Sequence, residues 1–314
     1  MFDSGLWYTD GVTAPVLLNA ANRSTYVRTR VEVSTFAAFV SAIRANNNAY
    51  IALTNDITYD RSLISGENAF YVEQFSVSID ALVWNFSGVI DGQGHSFTNV
   101  TRNADDGGVM YLIKNYTGIL KNIAIEGTLV NPTTKQYEPA SILAFNFSGA
   151  AMNVKLTVKV GRLKWNGNDT QQSGALFGVL KNGAYIKNVL IDYTPSSGSE
   201  NVIGFGFIAG YVESGASVTI RNIAVINRGD PVRPLVAMVQ NGAMINGNAH
   251  ASSGRYHTSD PYSSDNNAIA GAFNAEVVNL LMGNESTVCA GAGEILGSAW
   301  NCDGVNLPSL KASS

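Results

Sequence analysis

One phrase returns along this chain at nearly constant spacing, and its return constrains the fold more than any other property. A glycine-containing turn leads into apolar residues around an asparagine, followed by alternating apolar positions. It reads YTGILKNIAI at 116–125, FSGAAMNVKL at 147–156, NGAYIKNVLI at 182–191 and SGASVTIRNIAV at 214–225, with a weaker echo, NAEVVNLLM, at 274–282. The central residues are Asn122, Asn153, Asn188, Asn222 and Asn279; the first four are 31, 35 and 34 residues apart and the last gap is 57. A repeat of this length marks a stacked architecture, in which a unit too small to be stable alone buries its apolar face against the next.

Glycine-punctuated apolar runs lie between these phrases: SGALFGVL at 173–180, GFGFIAGYV at 204–212 and RPLVAMVQNG at 233–242. Each period therefore holds at least two short strands separated by turns. Period-two alternation (Ile123 and Ile125, Val189 and Ile191, Ile223 and Val225) supports the strand reading. Charged residues make up only 14%, too few for the wet faces of long amphipathic helices, whereas 46% hydrophobic content excludes wholesale disorder. The expected fold is all-β: a right-handed parallel β-solenoid (β-helix). In such a stack an asparagine at each bend tolerates unusual backbone angles, and its amide can bond the next coil. An inward ladder of Asn122, Asn153, Asn188, Asn222 and Asn279 is the expected structural device.

The segments ALFGVLKNGAYIKNVLI and FIAGYVESGASVTIRNIAV resemble GLUG-motif repeats, found in bacterial surface proteins of the β-helix type. NAYIALTNDITY at 48–59 and FSGVIDGQGHSFTNV at 86–100 look like the opening coils that precede such repeats, so the resemblance covers roughly residues 34–310. The spacing departs from a regular repeat, and the ILAFNF coil at 142–147 lacks paired glycines. The resemblance implies a solenoid displayed outside a cell, and carries over no catalytic residue.

A solenoid must cover its raw sheet edges. STFAAFVSAIRA at 34–45 reads as a short N-terminal capping helix, with Ser34 or Thr35 as N-cap and Phe36, Phe39, Val40 and Ile43 at helical spacing. Residues 1–33 are expected to form a strand or linker segment, the end of a preceding unit or a docking arm, and 34–314 the solenoid, with loop insertions at 61–82, 128–141 and 247–268. The two ends echo each other: LWYTDGVTAPVLLNA at 6–20 aligns with AWNCDGVNLPSLKAS at 299–313, which suggests a tandem unit or end-to-end self-association.

Candidate chemistry is sparse. The loop GNAHASSGRYHTSDPYSSDNN at 247–267 mixes tyrosine with small polar residues, as adaptable recognition surfaces do. Tyr256, His257 and Tyr262 are the candidate ligand contacts, toward a glycan or a host-surface receptor. Glycoside hydrolysis needs two carboxylates facing across a cleft; the acidic doublet Asp105-Asp106 sits in a DDGG turn instead. His95 reads as a coil-forming hydrogen bonder, and His250 and His257 have no metal-ligand spacing. No catalytic residue, metal ligand or cofactor is assigned. Cys289 and Cys302 are either one disulfide closing the last coil or two buried thiols. Scattered basic residues and a net charge of −4 argue against nucleic acid, and no apolar run is long enough to insert in a membrane. The expected role is a non-enzymatic structural and adhesion module, extracellular, on a cell surface or on a virion. The alternatives are a polysaccharide-cleaving lyase or hydrolase with a groove on the solenoid face, and a filament-forming assembly protein.

Overall fold

Strands separated by a full repeat pair in parallel, level upon level, and this pairing organises the chain. The computed structural model describes residues 7–8, 16–17, 28–64, 70–72, 77–79, 82–103, 111–131, 141–163, 173–195, 205–228, 235–248, 298–302 and 308–312. Two sheets form the walls of a β-solenoid. The shorter has six strands, running in order from Val83–Phe86 through Ile113–Tyr116, Ala144–Phe147, Phe177–Leu180 and Ala209–Val212 to Val236–Val239. The longer has ten, in which Ile119–Asn131, Ala150–Leu163, Tyr185–Pro195, Ser217–Asn227 and Met244–Asn248 stack in sequence order.

Register is strict. Leu120 faces Ala151, which faces Ile186, which faces Ile220, and all four are buried. Apolar side chains thus pile into one column between the walls, so each coil completes the burial of its neighbours. The corner between the walls is closely packed. A Cβ added to Gly118 would lie 1.8 Å from Gly88 O, and one on Gly149 would lie 1.9 Å from Gly118 O. Only glycine fits a stack of corners this tight.

The helix spans Phe36–Ala45, with Thr35 as N-cap: its Oγ1 accepts from Ala38 N at 3.2 Å. Phe36 and Phe39 pack on Phe97, and Phe36 on Tyr59, so the helix buries its apolar face on the column. Arg44 Nε reaches Leu82 O at 3.2 Å, beside the first strand of the shorter sheet.

Strand pairing meets the expected segment bounds at four places. Arg30–Val33 pairs with Tyr50–Leu53 and belongs to the solenoid, so the domain starts before residue 34. The 61–82 insertion is not all loop: it contains an antiparallel pair, Phe70–Val72 with Val77–Ile79. Strand Ile119–Asn131 continues past 128 because Thr128 and Leu129 pair with Lys159 and Val160, and Leu129 is buried; likewise Met244–Asn248 enters the 247–268 segment. Among the described residues no helix is long and apolar enough to cross a membrane.

Candidate functional site

Each long strand bends at an asparagine in the left-handed region. Asn122, Asn153, Asn188 and Asn222 have φ of 51, 53, 57 and 55°. Asparagine enters this region more readily than other residues with a Cβ. The bend brings the four amides into one half-buried file. Asn153 Nδ2 donates to Asn122 Oδ1 at 2.9 Å, Asn188 Nδ2 to Asn153 Oδ1 at 3.0 Å, and Asn222 Nδ2 to Asn188 Oδ1 at 3.0 Å. Asn279 lies outside the described residues.

At the base of the file stands Asp91, buried and only 4% exposed. Its Oδ1 accepts from Asn122 Nδ2 at 3.3 Å and Gln93 N at 3.1 Å, and its Oδ2 from the Tyr50 hydroxyl at 2.5 Å. Lys121 Nζ lies 3.4 Å from Oδ2 and 5.3 Å from the centre of the Tyr50 ring. Burial, then the Asp91 carboxylate, raises the Tyr50 hydroxyl above its ordinary value of 10.0. For Lys121 burial pushes the ammonium down, but Asp91 and Tyr50 outweigh it, and the net shift is upward from 10.5. Tyr50 and Lys121 both keep their protons at neutral pH, and the cluster serves as a structural knot.

A second amide file runs along the shorter sheet. Asn115 Nδ2 donates to Asn85 Oδ1 at 2.8 Å, and Asn146 Nδ2 to Asn115 Oδ1 at 2.7 Å. Sequence reasoning missed it, although the tetrapeptides NFSG, NYTG and NFSG at 85, 115 and 146 carried the signal. Beside it, Trp84, Lys114 and Phe145 occupy the same place in three successive strands. Lys114 Nζ lies 5.7 Å from the Trp84 ring centre and 3.9 Å from that of Phe145. Trp84 is 38% exposed, and Asn85 beside it is exposed as well.

The C-terminal segment covers part of the outer face of the long sheet. Trp300–Asn301 and Ser309–Leu310 pair antiparallel, and Trp300 packs with Leu190, Ala224 and Ile226, with Leu310 against them. Nearby, Arg228 makes a two-pronged contact with the buried Asp192, Nε to Oδ1 at 2.5 Å and Nη2 to Oδ2 at 2.9 Å. Cys302 is disulfide-bonded; Cys289 lies outside the described residues.

His95 Nδ1 lies 3.6 Å from Asp56 Oδ1, a surface pair when the imidazole is protonated. Tyr256, His257 and Tyr262, with His250, Asp105 and Asp106, lie outside the described residues. Among the described residues no three His, Cys, Asp or Glu side chains gather as a metal site would require. Compared with family models, with curated proteins and with solved structures, the chain matches none.

Proposed function

We propose that the protein is a non-catalytic display module: a stiff β-solenoid, carried on the exterior of a cell or a virus particle, that presents a flat face to glycans or to a glycosylated receptor. The observation that carries this reading is the row of Trp84, Lys114 and Phe145 beside the Asn85–Asn115–Asn146 file. Coil stacking repeats such rows at about 4.8 Å. An exposed indole offers an apolar plane for the C–H face of a sugar ring, and neighbouring amides and an ammonium can bond its hydroxyls. The side chains sit on paired strands, so the face is preorganised and binding needs little ordering.

The buried carboxylates support the non-catalytic part. Asp91 and Asp192, the two buried acidic side chains among the described residues, are engaged by Lys121, Tyr50 and Asn122 and by Arg228 respectively. Their oxygens are already taken up by these partners within the fold. The resemblance of the repeats to GLUG-type surface proteins points the same way.

The test is binding of the full chain to an array of bacterial, plant and host polysaccharides, with Trp84→Ala and, separately, Tyr256→Ala/Tyr262→Ala. The expected result is retention on at least one glycan class, weakened at least ten-fold by Trp84→Ala with the circular dichroism spectrum unchanged. Release of new reducing or unsaturated ends from any bound polysaccharide would overturn the non-catalytic reading.

A further inference from the structure

Among the described residues, one short strand pair near each end of the chain matches the other. Trp7 pairs with Leu17 and Tyr8 with Val16; Trp300 pairs with Leu310 and Asn301 with Ser309. The pairs are antiparallel and related residue for residue by one constant offset of 293 positions. Within that offset Trp7, Asp10, Gly11, Val12, Pro15 and Leu17 correspond to Trp300, Asp303, Gly304, Val305, Pro308 and Leu310. A short sequence echo alone could be chance. The same partners at the same separation in both hairpins are a second observation, independent of sequence identity.

What such a hairpin does is visible at the C-terminal end. Trp300 is 4% exposed, because Leu190, Ala224 and Ile226 form an apolar strip on the outer wall of the long sheet, and Trp300 and Leu310 cover it. The segment continues along that wall as far as the first coils: Lys311 O lies 2.8 Å from where a Cβ on Gly94 would stand. Each strand pair forms a two-stranded sheet of its own, but Leu17, the counterpart of the half-buried Leu310, is 53% exposed. The two hairpins differ in tethering. The C-terminal one carries the disulfide-bonded Cys302, whereas its twin has Thr9 at that place.

We propose that the 7–17 hairpin is an exchangeable twin of the 300–310 hairpin, and that it seats on the Leu190–Ala224–Ile226 strip of a second copy of this chain. The pairing of an N-terminal element with a wall near the C-terminal end is heterologous, so it joins copies head to tail and does not close a two-fold dimer. Within one chain the tethered hairpin competes for the strip at high effective concentration. Association is therefore weak while that hairpin is seated, and strengthens when it is displaced. The proposal is independent of the glycan face, since Trp84 lies on the other wall.

The test uses the full chain in sedimentation velocity across micromolar to millimolar concentrations. Trp300→Ser with Leu310→Ser vacates the strip and is expected to tighten self-association at least ten-fold over the unaltered chain. Adding Trp7→Ser and Leu17→Ser should return it to monomer. Association that survives those two changes would overturn the proposal, as would a vacated variant that stays monomeric. Should the vacated variant fail to fold, a photo-crosslinker at position 17 of the otherwise unaltered chain decides the matter, using a mixture of isotopically light and heavy copies. At millimolar concentration, where even the weak association of the unaltered chain is populated, crosslinks from 17 to residues 190–226 of the other copy support the exchange; crosslinks confined to the same copy, or none, refute it.

Discussion

Replacing Asn153 separates the two jobs its side chain does. It donates to Asn122 at 2.9 Å, accepts from Asn188 at 3.0 Å, and holds φ at 53°. Asn153→Ala loses two hydrogen bonds, about 1 kcal/mol each, and puts an alanine in the left-handed region at a cost of about 1 kcal/mol more. The expected destabilisation is about 3 kcal/mol. Asn153→Gly loses the same bonds without the backbone strain and should cost about 2 kcal/mol. Asn146→Ala is the control. It loses the one bond to Asn115 from a residue outside the left-handed set, since its neighbour on the far side is Val179, and should cost about 1 kcal/mol. Equilibrium urea unfolding followed by circular dichroism, with a shared m-value, measures all three. The reasoning fails if glycine is as damaging as alanine at 153, or if Asn153→Ala costs no more than Asn146→Ala.

Other perturbations probe the corners, the buried charges and the Asp91 knot. Gly149→Ala places a methyl 1.9 Å from Gly118 O and should abolish folding, whereas Gly183→Ala, at φ +84° with nothing within 4 Å, should lower stability by only about 1 kcal/mol; soluble yield and thermal melts distinguish them. Arg228→Met leaves the Asp192 carboxylate, 7% exposed, without its guanidinium and should cost about 2 kcal/mol, part of it recovered by adding Asp192→Asn. Tyr50 and Lys121 both have folded values raised above 10.0 and 10.5, so their stabilisation is complete below those values and disappears as pH rises through the folded ones. Melting temperature should accordingly fall above about pH 10. The fall should be shallower in Asp91→Asn, which removes the anion that helps hold both protons; identical profiles for the two proteins would contradict this.

The backbone bends were legible because asparagine is among the few residues that enter left-handed geometry readily, and it recurs at a solenoid's period. Asp91 was not legible as the base of the file: DGQG reads locally as a turn, and only the pairing of Ile119–Lys121 with Val89–Asp91 places it below Asn122. The outer strip had a signal that went unused. Val189, Leu190 and Ile191 form an unbroken apolar run, as do Ile223 to Ile226, and a strand lacking polar alternation is covered on both faces. What covers it comes from more than seventy positions downstream, which no local pattern can specify. The terminal hairpins were visible as an echo, but their shared pairing is a property of the fold.

The hydrogen-bonded amides of the long sheet all point one way, each passing its N–H toward the N-terminal end, where an anion receives the last. Their dipoles add, and the arrangement has a direction that a coil inserted backwards would break. A coil inserted whole, bringing one bent asparagine and one pair of strands, would preserve every contact above and below it. The molecule can therefore change length in unit steps, like a ruler cut to measure, while its terminal carboxylate and its polarity stay the same.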